Sequence, residues 1–286
     1  MPTSVKLDWC LLVLTLALLA ACQQQPKTPD ALPPADPPKA LSLTDTLDGT
    51  AVHIERPANW TGSCLLALPG WDLPAADWNT KTPLVEMANK HGVAVVMPEV
   101  GKSIYARSYY PETRADWRSE RLLGWVSDTL LHWLAARYGL FAGGQPHAVI
   151  GLSTGGRGAV LVAAARPDLF QLCGALSGDF VPEDMPGDNL MRGWYGSLEH
   201  FPERWRGSEH PVGVIERLGC RLYVAHGQAD RVVPVEQSRA FLQRLREGRP
   251  DLEVVSWLPE PAGHDYDFWA AASTQFFELA GPANSR

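Results

Sequence analysis

Beyond residue 40 the chain alternates between two hydrophobic patterns. Short apolar runs without polar interruption fall at residues 64–68, 93–97, 148–151, 172–176, 222–225 and 254–258. A strand with helices on both faces has no solvent side, so it reads as such a run rather than as an alternation. Between the runs, three-to-four spacing predicts helices over residues 81–90, 120–138, 154–165, 235–247 and 268–279. The clearest is 120–138, with Leu122, Val126, Leu130, Trp133 and Arg137 in register. Two strand-like segments, LSLTDTL and TAVHIERP, flank Asp48-Gly49, a strong two-residue hairpin signal. The expectation is a hairpin leading into a mostly parallel α/β sheet covered by helices on both faces. Roughly 245 residues remain after Ala40, which suits one such domain over residues 41–286.

The first forty residues follow neither pattern. Lys6 precedes an uncharged run over residues 9–21, too short to span a membrane comfortably. A short positive segment, an apolar run and small residues at its end read as a secretory signal over residues 1–21. Its end, Leu19-Ala20-Ala21-Cys22, resembles the bacterial lipobox, in which the Cys is lipidated and becomes the first residue. Residues 22–40 follow as a Pro-rich tether without apolar periodicity. Gln23 after the Cys, by resemblance to bacterial sorting rules, implies an outer-membrane lipoprotein facing the periplasm.

Composition narrows the function classes. Of 286 residues 45% are hydrophobic, which excludes a solvating or disordered chain. The net charge of −7 removes the basic field that phosphate neutralisation needs, so nucleic acid is not an expected partner. Once Cys10 leaves with the signal and Cys22 is lipidated, Cys64, Cys173 and Cys220 remain, each in or beside an apolar run. Three thiols without paired spacing read as buried and inert rather than as a disulfide framework or zinc site.

The chemistry is concentrated where the 148–151 run ends. There the chain reads Gly151-Leu152-Ser153-Thr154-Gly155-Gly156-Arg157-Gly158, a G-x-S-x-G between a strand and a small-residue helix. Such a turn is too tight for side chains two before or two after the Ser, and it lifts the hydroxyl above the sheet at a helix N-terminus. Ser153 alone would also serve as a plain helix cap; the strand–turn–helix context favours a nucleophile. A nucleophilic Ser needs a base and the base an orienting carboxylate, in the chain order Ser, Asp or Glu, His. His264, in a Gly-bearing loop before the last helix, is the candidate base. Asp230, in the loop after the 222–225 run and 34 residues before His264, is the candidate carboxylate. Asp265 and Asp267 belong to the base's own loop and are weaker candidates. The N–H of Thr154 is one candidate oxyanion donor, and Trp71 after Pro69-Gly70 supplies the other.

With these residues in hand, the sequence resembles the α/β-hydrolase superfamily, within it the esterase D-like group of formylglutathione hydrolases, feruloyl and enterochelin esterases and secreted mycolyltransferases. The likeness is carried by GLSTGGRGAVLVAAARPDLF, GALSGDF, HGQADRVVPVEQSRAFLQRL and AGHDYDFW, and extends over roughly residues 63–279. Pro69 stands where many relatives have His, and Thr154 where they have Met. The resemblance implies a serine esterase needing no metal or organic cofactor, acting on a small-molecule ester. An acyltransferase on envelope lipids or glycans, using the same residues, is the alternative. It also implies that the insertion over residues 180–212 sits above the nucleophile as a substrate-selecting cap. Asp179, Trp194, Tyr195 and Trp205 are then the expected substrate contacts. Oligomeric state is not legible.

Overall fold

The computed structural model describes residues 39–280. The expected leader, Cys22, nearly all of the tether and the last six residues lie outside the described residues.

Eight strands form one sheet: β1 (Leu41–Leu47), β2 (Thr50–Arg56), β3 (Cys64–Leu68), β4 (Ala94–Pro98), β5 (His147–Leu152), β6 (Phe170–Leu176), β7 (Arg221–Ala225) and β8 (Val254–Trp257). Their order is β1-β2-β4-β3-β5-β6-β7-β8. The hairpin closes through Asp48 and Gly49, both at positive φ, pairing Leu47 with Thr50. β2 pairs antiparallel with β4, and every later pair is parallel. β3 and β4 are buried at all five positions, which is why they read as unbroken apolar runs.

Among the described residues seven α-helices accompany the strands: α1 (Asp77–Thr80), α2 (Leu84–Lys90), α3 (Leu131–Tyr138), α4 (Thr154–Ala165), α5 (Asn189–Tyr195), α6 (Glu236–Gly248) and α7 (Tyr266–Ala280). Side chains alternate between the sheet faces. Cys64, Leu66 and Leu68 of β3 pack with α3, α4 and α6, whereas Leu65 and Ala67 pack with α2 and α7. The helix expected over 120–138 begins later and is wound wider, as a π-helical stretch Trp125–Leu130 that runs directly into α3. Cys64, Cys173 and Cys220 are free and buried, and burial pushes the Cys64 and Cys220 thiols up to about 12.

This topology fixes where chemistry can occur. β3 and β5 are neighbours, yet β3 leads to α2 on one face and β5 to α4 on the other. The two connections diverge above the strand ends, at the kind of switch point where open α/β sheets bind their ligands.

Candidate active site

Ser153 stands at the end of β5 with φ 54° and ψ −128°, a backbone conformation that a non-Gly residue adopts only when its surroundings impose it. The glycines around it supply the compulsion. A Cβ on Gly151 would fall 1.9 Å from Gly155 O, and one on Gly155 would fall 2.3 Å from Leu68 O. The Ser153 N–H donates to Leu176 O of β6 at 2.8 Å, and its carbonyl accepts from Gly156 N at 2.8 Å as α4 begins. The turn is thereby clamped between β3, β6 and its own helix.

Two loops converge on the hydroxyl. His264 lies after β8 and Asp230 after β7, and these loops are stitched by Ala229 N–H donating to Ala262 O at 2.9 Å. Gly227 permits the contact, since a Cβ there would lie 2.3 Å from the same oxygen. Ser153 Oγ is 3.0 Å from His264 Nε2, and His264 Nδ1 is 2.6 Å from Asp230 Oδ2. A carboxylate only accepts, so Nδ1 carries the proton and Nε2 is left to accept from the Ser hydroxyl. Asp230 Oδ1 accepts from the Val232 and Val233 N–H groups at 2.8 and 2.9 Å. Burial works against the Asp230 charge, but hydrogen bonds from His226, His264 and Val233 outweigh it and hold the carboxyl well below the usual range. Trp269 packs edge-on to the His264 ring at 4.9 Å. Asp265 instead accepts from Phe268 N–H at 2.9 Å and caps α7, and Asp267 is exposed.

The loop after β3 reaches the same point. A Cβ on Gly70 would touch Ser153 Cβ at 3.0 Å, so the loop that carries Trp71 passes against the nucleophile's side chain. Its position is set by residues that the sequence reading missed. Tyr105, fully buried, donates its hydroxyl to Pro69 O at 2.8 Å, and Gly158 on α4 makes room for the ring, which a Cβ would overlap at 2.6 Å. The GG-R-G run after the nucleophile was the available signal: it has more glycine than the turn alone requires.

Arg157 was also missed. One turn below Ser153, its fully buried guanidinium donates to Ile104 O (3.0 Å), Asp179 O (3.5 Å), Tyr195 Oη (3.3 Å) and Glu209 O. It ties α4 to the insertion and to residues 100–122, a segment without periodicity that packs against the insertion. Aromatic stacking continues the tie, from Trp71 to Trp117 (4.6 Å) and from Trp117 to Trp194 (6.4 Å).

This packing places the expected substrate contacts in the interior. Trp194, Tyr195 and Trp205 have no exposed surface. They form a core of their own with Ile104, Ala106, Trp117 and Met191, and the indole N–H groups of Trp194 and Trp205 are spent on Ser108 O and Gly196 O. Aromatics in a long aperiodic stretch read equally as ligand contacts or as core, and residues 100–122 decide for core. Asp179 is buried as well, with both carboxyl oxygens lacking hydrogen-bond partners and Arg157 Nη1 4.0 Å away. Burial pushes its carboxyl up to about 7, against the pull of Arg157.

A carboxyl whose folded-state value lies above its unfolded one binds more protons folded than unfolded, so its contribution to stability falls as pH rises from about 4 to about 7. Asp179→Asn lacks that loss. Its Tm relative to the parent should therefore move in the variant's favour between pH 5 and pH 8, as read by thermal circular dichroism. A difference that stays constant with pH would show that Asp179 is ionised throughout.

The family model described as a putative esterase matches residues 52–272, from β2 into α7, and so includes every residue of this array. The chain belongs to the putative esterase family. Among curated relatives of this esterase-family chain, the diacylglycerol acyltransferase/mycolyltransferase Ag85B of Mycolicibacterium smegmatis is 32% identical over 192 residues, 59% of this chain and 57% of that one. The MPT51/MPB51 antigen of Mycobacterium tuberculosis is 34% identical over 112 residues, 38% of this chain and 34% of the antigen. The chain thus matches between a third and somewhat over half of these relatives' length. Among solved structures, the fluorophosphonate-binding serine hydrolase FphF of Staphylococcus aureus superposes with a TM-score of 0.64 at 17% identity, covering 85% of this chain and 99% of that one. The S-formylglutathione hydrolase FrmB of the same organism gives 0.62 at 18% identity, with the same coverage. The esterase-family sheet is an α/β-hydrolase sheet, as the resemblance implied, and its fold neighbours are esterase D-like serine hydrolases.

Proposed function

We propose that the protein is a carboxylic ester hydrolase working through Ser153, His264 and Asp230 and a covalent acyl-enzyme. The observation that carries this reading is the continuous hydrogen-bonded array from Ser153 Oγ through the His264 ring to Asp230 Oδ2, set on a turn of positive φ at the switch point. As Ser153 Oγ bonds to the ester carbonyl carbon, its proton passes to His264 Nε2, and Asp230 stabilises the imidazolium and keeps the ring in place. The carbonyl oxygen, now an oxyanion, is met by the N–H groups of Thr154 and Trp71. Collapse expels the alcohol, which leaves with the proton from Nε2. Water then repeats the cycle on the acyl-enzyme, releasing the acid and restoring the Ser hydroxyl.

The acyltransferase alternative differs only in the second half, where an acceptor alcohol replaces water. The acyltransferase/mycolyltransferases among the curated relatives support keeping it. Turnover of p-nitrophenyl esters with and without added alcohols separates the two: hydrolysis gives only free acid, and transfer gives a new ester whose share rises with acceptor. A protein that takes up a fluorophosphonate nowhere and turns over no ester would overturn both.

We also propose that Cys22 carries a lipid anchor, the tether holding the domain away from the membrane. Among the described residues no helix is long and apolar enough to cross a membrane. Cys22→Ser should move the protein from the membrane to the soluble fraction after a salt wash, and retention in the pellet would refute the anchor. Stable anchoring needs more than one acyl chain, so partial loss is the expected phenotype of incomplete acylation.

A further inference from the structure

Asp230 Oδ2 is shared by two imidazoles. His264 Nδ1 approaches at 2.6 Å and His226 Nε2 at 3.2 Å, the second from the residue just after β7. His226 Nε2 also lies 2.9 Å from Val233 O, and His226 Nδ1 lies 2.7 Å from Ser238 Oγ on α6. His226 and Ser238 have no exposed surface. Both neighbours of Nε2 are pure acceptors, so this nitrogen carries a proton, which points to Val233 O at 2.9 Å with Asp230 Oδ2 beside it at 3.2 Å. Ser238 hydroxyl then donates to Nδ1, and the neutral ring is fully satisfied. Such an arrangement exceeds what packing requires, since a buried apolar side chain would fill the same space without needing three partners.

We propose that His226 is a positioning residue that acts through Asp230: by donating to Oδ2 it fixes the carboxylate plane and limits how strongly that oxygen holds the His264 imidazolium. The proposal rests on the triad reading above. An anion shared among four donors is held rigidly, but each donor draws charge from it. Asp230 therefore stays ionised and aligned toward the ring that returns its proton to the departing alcohol. Around the carboxylate, the titratable groups in contact are His226 and His264. Glu236 and Arg239 of α6 and Glu260 of the loop after β8 line the same surface depression, and Glu236 pairs with Arg239 at 2.8 Å.

The test compares two polar replacements in the full chain. The Gln amide nitrogen reaches the position of His Nε2, whereas the Asn amide reaches only that of Nδ1. His226→Asn should leave Oδ2 with one donor fewer, strengthen its hold on the imidazolium, and move the acidic limb of kcat/KM on p-nitrophenyl butyrate up by about one pH unit, with kcat falling and KM held. His226→Gln should keep the limb at the parental pH. A limb that stays put in a folded His226→Asn protein, or moves equally in both variants, overturns the proposal. Nitrogen-15 NMR of the unmodified protein gives a check that needs no variant to fold: His226 should carry a proton on Nε2 and none on Nδ1, and an Nδ1–H tautomer overturns the proposal. Fluorophosphonate labelling of Ser153 in the parent keeps the two readings apart, because its absence sinks the triad and its presence leaves only the role of His226 at issue.

Discussion

Ser153→Ala is expected to abolish labelling by an organophosphonate and to lower ester turnover about a million-fold, the scale seen when a triad nucleophile is removed from a serine protease. The residual rate should not reach zero. The Trp71 and Thr154 N–H groups remain, and such features alone give roughly a thousand-fold advantage over water. Stability should barely change, because the Ser153 backbone N–H and carbonyl, rather than its hydroxyl, hold the turn. Retained labelling in a folded variant would show that the nucleophile lies elsewhere.

Asp230→Asn carries the second-largest expectation, a loss near ten-thousand-fold in kcat with the fold intact. The amide removes the charge facing His264 and presents an N–H where the ring needs an acceptor, so the imidazole is driven to the wrong tautomer. Part of the geometry survives, since an Asn oxygen still accepts from the Val232 and Val233 N–H groups. Asp265→Asn is the control: Asn also caps helices well, so the α7 terminus is preserved and activity should stay within a few-fold. All three proteins are compared at one pH after circular dichroism has shown each to be folded. A tolerant Asp230 beside a sensitive Asp265 would sink the assignment.

The parts of this site that could be read in advance share a physical property: their conformation is dictated locally. G-x-S-x-G permits one turn, and the buried strands announce themselves because both of their faces are apolar. β3 runs over the five residues its pattern predicts, and α4 over its predicted twelve. Asp230 and His264 were legible because loops at strand ends point to one side of a parallel sheet. What escaped notice depends on contacts between segments far apart in sequence. Arg157 reads as an ordinary polar position of a helix, and only its partners Ile104, Tyr195 and Glu209 show it to be interior. Residues 100–122 carry no period, so nothing foretold that Trp117 would stack on Trp194 and take the insertion's aromatics away from the ligand. The late start of the helix expected over 120–138 has the same origin, with Tyr109 donating to Glu120 O and Ser103 to Arg121 O in place of another helical turn.

Arg157 bears on how the molecule can fail. The guanidinium beneath the nucleophile is the common fastening of the elbow helix, the 100–122 segment and the insertion, and none of its surface is open to water. Parting these segments would break all four of its hydrogen bonds at once and expose the apolar cluster of Trp117, Trp194 and Trp205 to water. The insertion and residues 100–122 are therefore joined to the nucleophile's helix as core is joined to core. An altered substrate range is then expected from changes to side chains beside Ser153 rather than from loosening a hinge.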